Sequence, residues 1–293
     1  MAISGWPAPR TCVGSAVVAV ALAVLMAGCG GSSHRTGPIG GAIYRRDEAH
    51  WSMPVDAFRV DVPRLEYAED ILMDRCMKHR RMAWSTPVLR PPAPAANDAE
   101  VILFTLPLAR QYGYHPGPPS TVDPPPAPPP PAIQHAADAC LRQLRRRIPA
   151  IGMAQMGIYT LAAGASEEAQ GSAKVLAAAA RWRRCMQPQG ISDLPTVPWS
   201  MPSPSMRAQF HMGEDPVPGQ KFTTRGASPG EIAMAVFDAR CRISSGVTRL
   251  DYQAEWDAEL RLIDQHRDDI ERAAAFSRRV TAQIDRVIAD GGG

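Results

Sequence analysis

Beyond Ala27 this chain has no apolar stretch approaching the roughly 20 residues that a bilayer-spanning helix needs. Lipid is then the attachment by which the remaining chain is expected to hold to a membrane. Lysine is nearly missing, with only Lys78, Lys174 and Lys221, and the formal net charge is +3. Composition gives no argument for a nucleic-acid partner or an acidic substrate. Aromatic residues make up 6% of the chain, too few to suggest a base-stacking or carbohydrate platform. The seven histidines are scattered, with no H-x-H or H-E-x-x-H spacing. No Walker lysine follows a glycine loop, and no dinucleotide fingerprint or acid pair in a barrel context is visible. No catalytic residue, metal or cofactor is expected. What is abundant is Arg, Ala, Pro and Gly, a composition that GC-rich codons impose and that carries no functional signal of its own.

The first positive signal is an address. A lone charge, Arg10, precedes an apolar run from Val13 to Ala27, which suits the core of an export signal. The run ends in Leu25-Met26-Ala27-Gly28-Cys29, followed by Gly30-Gly31-Ser32-Ser33. This segment resembles a lipobox, although Met26 stands three places before the cysteine where the pattern prefers Leu. The resemblance implies cleavage before Cys29 and a diacylglyceryl group on its sulfur. Two acyl chains, at about 0.8 kcal/mol per buried methylene, hold a protein far better than one. With no twin arginine, Sec export is expected. Residues 1–28 are then a signal peptide, and 29–60 a flexible tether on the extracytoplasmic face of the cell membrane.

The cysteines give the second. Cys12 leaves with the signal peptide and Cys29 carries lipid, so Cys76, Cys140, Cys185 and Cys241 remain. An even set in an oxidising compartment implies two disulfides. Counting alone leaves three connectivities open. An internal similarity bears on the choice. The run Leu65–Met77 and the run Lys174–Met186 both read as helices ending in Arg-Cys-Met. Each is followed by proline-rich chain, then by a helical run with Asp-Ala just before a second cysteine, at Asp138-Ala139 and Asp238-Ala239. The cysteines lie 64 and 56 residues apart. One unit used twice is the expectation, 61–150 and then 151–293, and within-unit bonding Cys76–Cys140 and Cys185–Cys241 is its simplest form.

The fold expected is mainly α, with helices near 63–82, 132–148, 167–187, 229–243 and 251–289. Residues 100–105 read as one short strand or a buried turn. The proline runs 116–131 and 188–218 exclude regular structure and serve as spacers or as straps over helices. In the last helix Trp256, Leu260, Ile263, Ile270, Ala274, Val280, Ile284 and Val287 recur at helical spacing, interrupted at Arg267 and Ser277. That stripe is expected to pack on its own domain, with a partner seam at Trp256, Leu260 and Ile263 as the other reading.

Two tempting motifs dissolve on chemical grounds. Gly226-Ala-Ser228-Pro-Gly230 matches G-x-S-x-G, but the residue after a nucleophilic serine must donate its N–H to the oxyanion, and Pro229 has none. Ser228 as N-cap, Pro229 in the first turn and Glu231 closing a capping box explain the segment instead. Cys76 and His79 lie one helical turn apart, but a zinc site needs two further ligands and a reduced thiol. Tyr112-Gly113-Tyr114-His115 is expected to pin a loop to a core.

The lipobox, the Arg-Cys-Met helix ends, the run Ala109–His115 and Asp238-Ala-Arg-Cys241 together resemble a group of actinobacterial secreted lipoproteins. The group has no established activity, so the resemblance implies a cell-envelope setting and no mechanism. The function expected is a non-enzymatic interaction or binding module, lipid-anchored and possessing an envelope protein partner. The alternative is an extracytoplasmic hydrolase or solute-binding protein with a site built from distant residues. A Cys29→Ser variant should be released to the medium or remain an uncleaved precursor. A correctly cut, acylated Cys29→Ser protein in the membrane fraction would refute the lipidation.

Overall fold

A computed structural model describes residues 39, 42–82, 104–115, 121–122, 129–212, 222–223 and 226–291. The export signal, the lipobox with Cys29, residues 100–103 and most of the 116–131 proline run lie outside the described residues. Capping chemistry sets most helix starts. α1 (Val62–His79) begins behind Asp61, which accepts from the Arg64 N–H at 2.9 Å. α2 (Leu106–Tyr112) follows Thr105, which caps it. A two-residue strand β1 (Thr121–Val122) pairs antiparallel with β2 (Phe222–Thr223). α3 (Pro131–Arg147) opens on proline and ends in three arginines facing its carbonyl end.

α4 (Gly152–Gly171) and α5 (Ala173–Met186) replace the single helix expected over 167–187. The break is Ser172, whose hydroxyl caps α5. α4 escapes sequence inspection because Gly152, Gly157, Gly164 and Gly171 all sit on its exposed face, where glycine costs about 1 kcal/mol in helix propensity. Its inner face is regular, with Gln155, Ile158, Leu161, Ala165 and Ala169 buried. α6 (Pro204–Gln209) lies in the second proline-rich stretch, which is a strap and not a solvent spacer: Pro198 and Met206 are buried. α7 (Pro229–Ser245) ends at Gly246, whose φ of 70° only glycine adopts freely, and turns into α8 (Val247–Gln265).

The helix expected over 251–289 is two. A turn at His266 separates α8 from α9 (Arg267–Gly291). The buried stripe changes neighbours further on, between Ala274 and Val280, since Ile270 and Ala274 of α9 still pack in the cluster of Ile158 and Trp256. α8 covers α4 and residues 51–58, whereas α9 packs Val280, Ile284 and Val287 against α1 and α3. The stripe is internal on both sides of the turn: Trp256 and Ile263 are buried and Leu260 packs against the same cluster. No open seam for a partner remains at those three residues.

Both disulfides join helices within a unit, Cys76–Cys140 between α1 and α3 and Cys185–Cys241 between α5 and α7. In each, the methionine after the first cysteine is fully buried: Met77 among Ala136 and Ala137, Met186 beside Trp182 and Ala179. A loop of this length adds roughly 4 kcal/mol in the loop-closure account. The units are not separate bodies, however. α9 completes the core of the first and α2, from the first unit's loop, lies on α7 of the second. Residues 37–293 form one compact unit.

The tether expected over 29–60 is also corrected. Ile39, Trp51, Met53, Val55, Phe58 and Val60 are buried, so the chain from residue 47 onward is core. Its Asp-, Glu- and Arg-rich composition hides a short apolar set that is spaced for turns, not for a helix. An Ile284→Ala change should cost about 2–5 kcal/mol. Hydrogen exchange should then loosen α1 along with α9. Unchanged protection in α1 would mean that the C-terminal helix is not part of the first unit's core.

Candidate functional site

Small residues bring two helices close at the start of the site. Ala109 of α2 meets Ala235 and Ala239 of α7. Gly113 ends α2 at φ 62°, and a Cβ there would stand 2.5 Å from Glu231 Oε1. Only glycine fits, and it delivers the next two residues onto a buried acid. The Tyr114 N–H donates to Glu231 Oε1 at 2.9 Å, and His115 Nε2 lies 3.4 Å from Glu231 Oε2. Glu231 therefore turns to Tyr114 instead of closing a capping box, while Ser228 does cap α7, accepting from the Glu231 N–H at 3.2 Å. The expected pinning role of Tyr112–His115 is what the geometry displays.

A second buried acid, Asp238, gathers donors from three elements. Trp182 Nε1 donates to it at 2.7 Å, Arg242 Nε and Nη2 at 2.9 and 3.0 Å, and the Tyr114 hydroxyl at 3.3 Å. Burial, then the Asp238 charge, push the Tyr114 hydroxyl far above its ordinary value. Arg242 also donates to the Pro198 carbonyl at 2.7 Å, holding the strap, and its guanidinium lies 4.6 Å over the Phe104 ring. Phe104 stacks on Tyr114 at 5.2 Å.

The facing wall is α8 with the turn at Trp51. Trp51 adopts φ 50°, a left-handed conformation uncommon for a bulky residue. It donates its indole N–H to Glu255 Oε2 at 3.2 Å and meets Tyr252 edge-on at 5.3 Å. Asp251, Glu255 and Glu259 occupy successive turns of α8. Burial pushes Asp251 up to about 6. Burial, with Asp251 alongside, pushes Glu255 up to about 7. Burial pushes Glu259 up to about 8, opposed by the Val55 N–H that donates to it at 2.9 Å.

Between these walls lies a cleft of about 370 Å³, lined by Trp51, Phe104, Tyr112, Tyr114 and Trp199, with Asp251, Glu255, His115, Gln170 and Arg242 among its polar groups. Its size and its mix of aromatic surface with a few convergent polar groups are those of a small-molecule site. The sequence run 109–115 and Asp238 of the repeated Asp-Ala pair do reach this site, whereas Asp251, Glu255 and Trp51 belong to no motif of the sequence. Their signal was available: Glu255 and Glu259 share a helical face with Tyr252, Trp256 and Ile263. Cys76, Cys140, Cys185 and Cys241 lie in the two disulfides, so Cys76 has no thiol to offer a metal beside His79. No group of three or more His, Cys, Asp or Glu residues suited to a metal occurs among the described residues.

The raised acids fix a direction for stability. Folded Glu259 keeps its proton up to about pH 8, whereas the unfolded chain releases it near the ordinary value of 4.5. Its contribution is complete below that ordinary value and is lost as pH rises towards the folded one. Glu259→Gln keeps an acceptor for Val55 and removes the charge. The variant should lose up to about 1.4 kcal/mol per pH unit of slope from denaturant melts between about pH 5 and about pH 8. An unchanged slope would show that Glu259 is not held protonated.

No protein-family model matches the chain, and no curated protein or solved structure matches it either.

Proposed function

We propose that this chain is a cell-envelope lipoprotein, held on the extracytoplasmic face of the membrane by lipid on Cys29, that binds a small solute without transforming it. The lipobox supports the address. Among the described residues no helix is long and apolar enough to cross a membrane, which leaves lipid as the attachment this reading uses. The cleft supports the binding role, and it is the observation that carries the proposal. A large protein partner has less to recommend it. The most exposed apolar side chains, Ile43, Met156 and Ile243, lie far apart in sequence on different elements, and the Trp256 stripe is internal.

A hydrolase reading draws on the same two acids, since Asp251 and Glu255 titrate at about 6 and about 7. Glycoside hydrolysis, however, needs its two carboxyl groups on opposite sides of the scissile bond. Asp251 and Glu255 stand one turn apart on one face of one helix, so both approach a ligand from the same side. Binding suits that arrangement better than acid–base chemistry.

Native mass spectrometry of the lipidated protein, incubated with a concentrated small-molecule extract of its own envelope, tests the reading. The wild type should acquire a discrete small-molecule adduct. Thr248→Trp, which fills the cleft from a half-buried position, should lose it by about tenfold or more in affinity. Equal loading of both proteins would place the ligand elsewhere, and no adduct on the wild type would end the solute-binding reading.

A further inference from the structure

The charges around the cleft do not balance on its α8 side. We propose that the cleft takes an organic cation, an ammonium or guanidinium group on a short apolar stem, with the charged head at Asp251 and Glu255 and the stem against the aromatic wall. This rests on the solute-binding reading above and names the ligand class.

Both basic side chains that line the cleft are already matched. Arg242 is held by Asp238 through two hydrogen bonds, and His115 faces Glu231. Asp251 and Glu255 take no ion pair among the described residues. Among the described residues the donor to Glu255 is neutral, the Trp51 indole. Asp251 Oδ1 is buried with no hydrogen-bond partner among the described residues, and an unmatched buried acceptor is what a ligand donor would satisfy. The surroundings add to the deficit. Glu259 follows on the next turn, and Asp56 stands near both glutamates. Arg59 is the cation that acts on both glutamates, while Arg46, over the Trp256 ring at 5.1 Å, is paired with Asp257 at 2.9 Å. The Arg59 guanidinium is shared with Asp56 at 3.3 Å and with the Tyr159 ring at 5.2 Å.

An anion would meet two acids, and a neutral ligand would leave them uncompensated. A cation would supply both the missing charge and the missing donors. Trp51, Tyr112 and Trp199 present aromatic surface along the same cleft, which favours a cation's apolar stem and, face-on, the cation itself. A bound cation favours the ionised acids, so binding at neutral pH should expel protons.

Calorimetry on the lipidated full-length protein in detergent, with benzylammonium and its neutral isostere benzyl alcohol, decides the matter. Benzylammonium should bind at least about tenfold more tightly at pH 8 than at pH 5, because the two acids ionise across that interval. Its apparent enthalpy at pH 7 should vary with the buffer's ionisation enthalpy, reporting proton release. Asp251→Asn/Glu255→Gln should lose the pH dependence and the release together, whereas Glu66→Gln, an exposed acid on α1, should retain both. Benzyl alcohol or a chito-oligosaccharide binding as tightly as the cation, at every pH, would overturn the cation and leave the cleft a binding site. No binding by any of these probes while envelope extract still loads the protein would also overturn it. If extract and probes both fail, the solute-binding reading falls with it.

Discussion

The stretch from Asp47 to Val60 crosses a helical core with no sheet to receive its backbone groups. An unpaired buried N–H or C=O costs about 1–3 kcal/mol, so the surrounding helices have to supply partners. They do so with side chains. Glu259 accepts from the Val55 N–H and Gln155 from the Val60 N–H at 3.2 Å. Ser277 donates to the Phe58 carbonyl at 2.7 Å and receives a bond from Gln155 at 2.8 Å. Tyr252 donates to the Ser52 carbonyl and accepts from the Asp47 N–H, both at 2.9 Å. Thus α4, α8 and α9 each carry polar residues on faces that would otherwise be apolar. This requirement explains why Gln155, Glu259 and Ser277 are buried, and it brings acidic residues to the edge of the cleft.

The same requirement marks where sequence reasoning succeeded and failed. Caps are local chemistry, and Ser228 follows from a few neighbouring residues; the two cysteine pairs are where the repeated unit placed them. The stripe from Trp256 to Val287 was legible because apolar spacing reports burial. What escaped was nonlocal. Residues 47–60 look like a polar tether because the partners of their backbone lie 95 to 219 positions away. α4 was hidden by glycines on its outer face, although Ile158, Leu161 and Ala165 carry a sound helical period. The turn at His266 was foreshadowed by the interruption at Arg267, whereas the stripe's change of neighbour from α4 to α1, between Ala274 and Val280, is tertiary and has no local signal. The cleft was the least legible feature, since its walls come from residues 51, 104–115, 198–202 and α8.

The internal similarity holds in the staples and breaks at the aspartates. Met77 and Met186 play the same part, each a fully buried residue directly after the first cysteine of a disulfide between two helices. Asp138 and Asp238 do not. Asp138 stands two residues before its cysteine, remains half-buried and accepts from Gln134 on its own helix at 2.9 Å. Asp238 stands three before its cysteine, and one residue rotates a helical position by about 100°. That rotation turns it fully inward, where Trp182, Tyr114 and Arg242 converge on it. A duplicated scaffold with one residue of slippage thus yields a structural helix pair in one unit and a polar wall in the other.

The two walls treat charge in opposite ways, and the difference ties stability to occupancy. On α7, Asp238 and Glu231 are buried with cationic or N–H partners in place, so their ionised forms are satisfied from within. On α8, Asp251, Glu255 and Glu259 are buried without cationic partners and hold protons into the neutral range. Raising the pH charges these groups against the low dielectric around them and weakens the fold. It also deepens the negative potential that a cation would occupy. A cation bound there would stabilise the native state by its occupancy and offset the cost of ionising two of the three acids. Its stabilising effect would therefore be largest where the empty protein is weakest, at and above neutral pH. Glu259, which is held by Val55 and does not line the cleft, would keep its own pH dependence whether or not the cleft is filled.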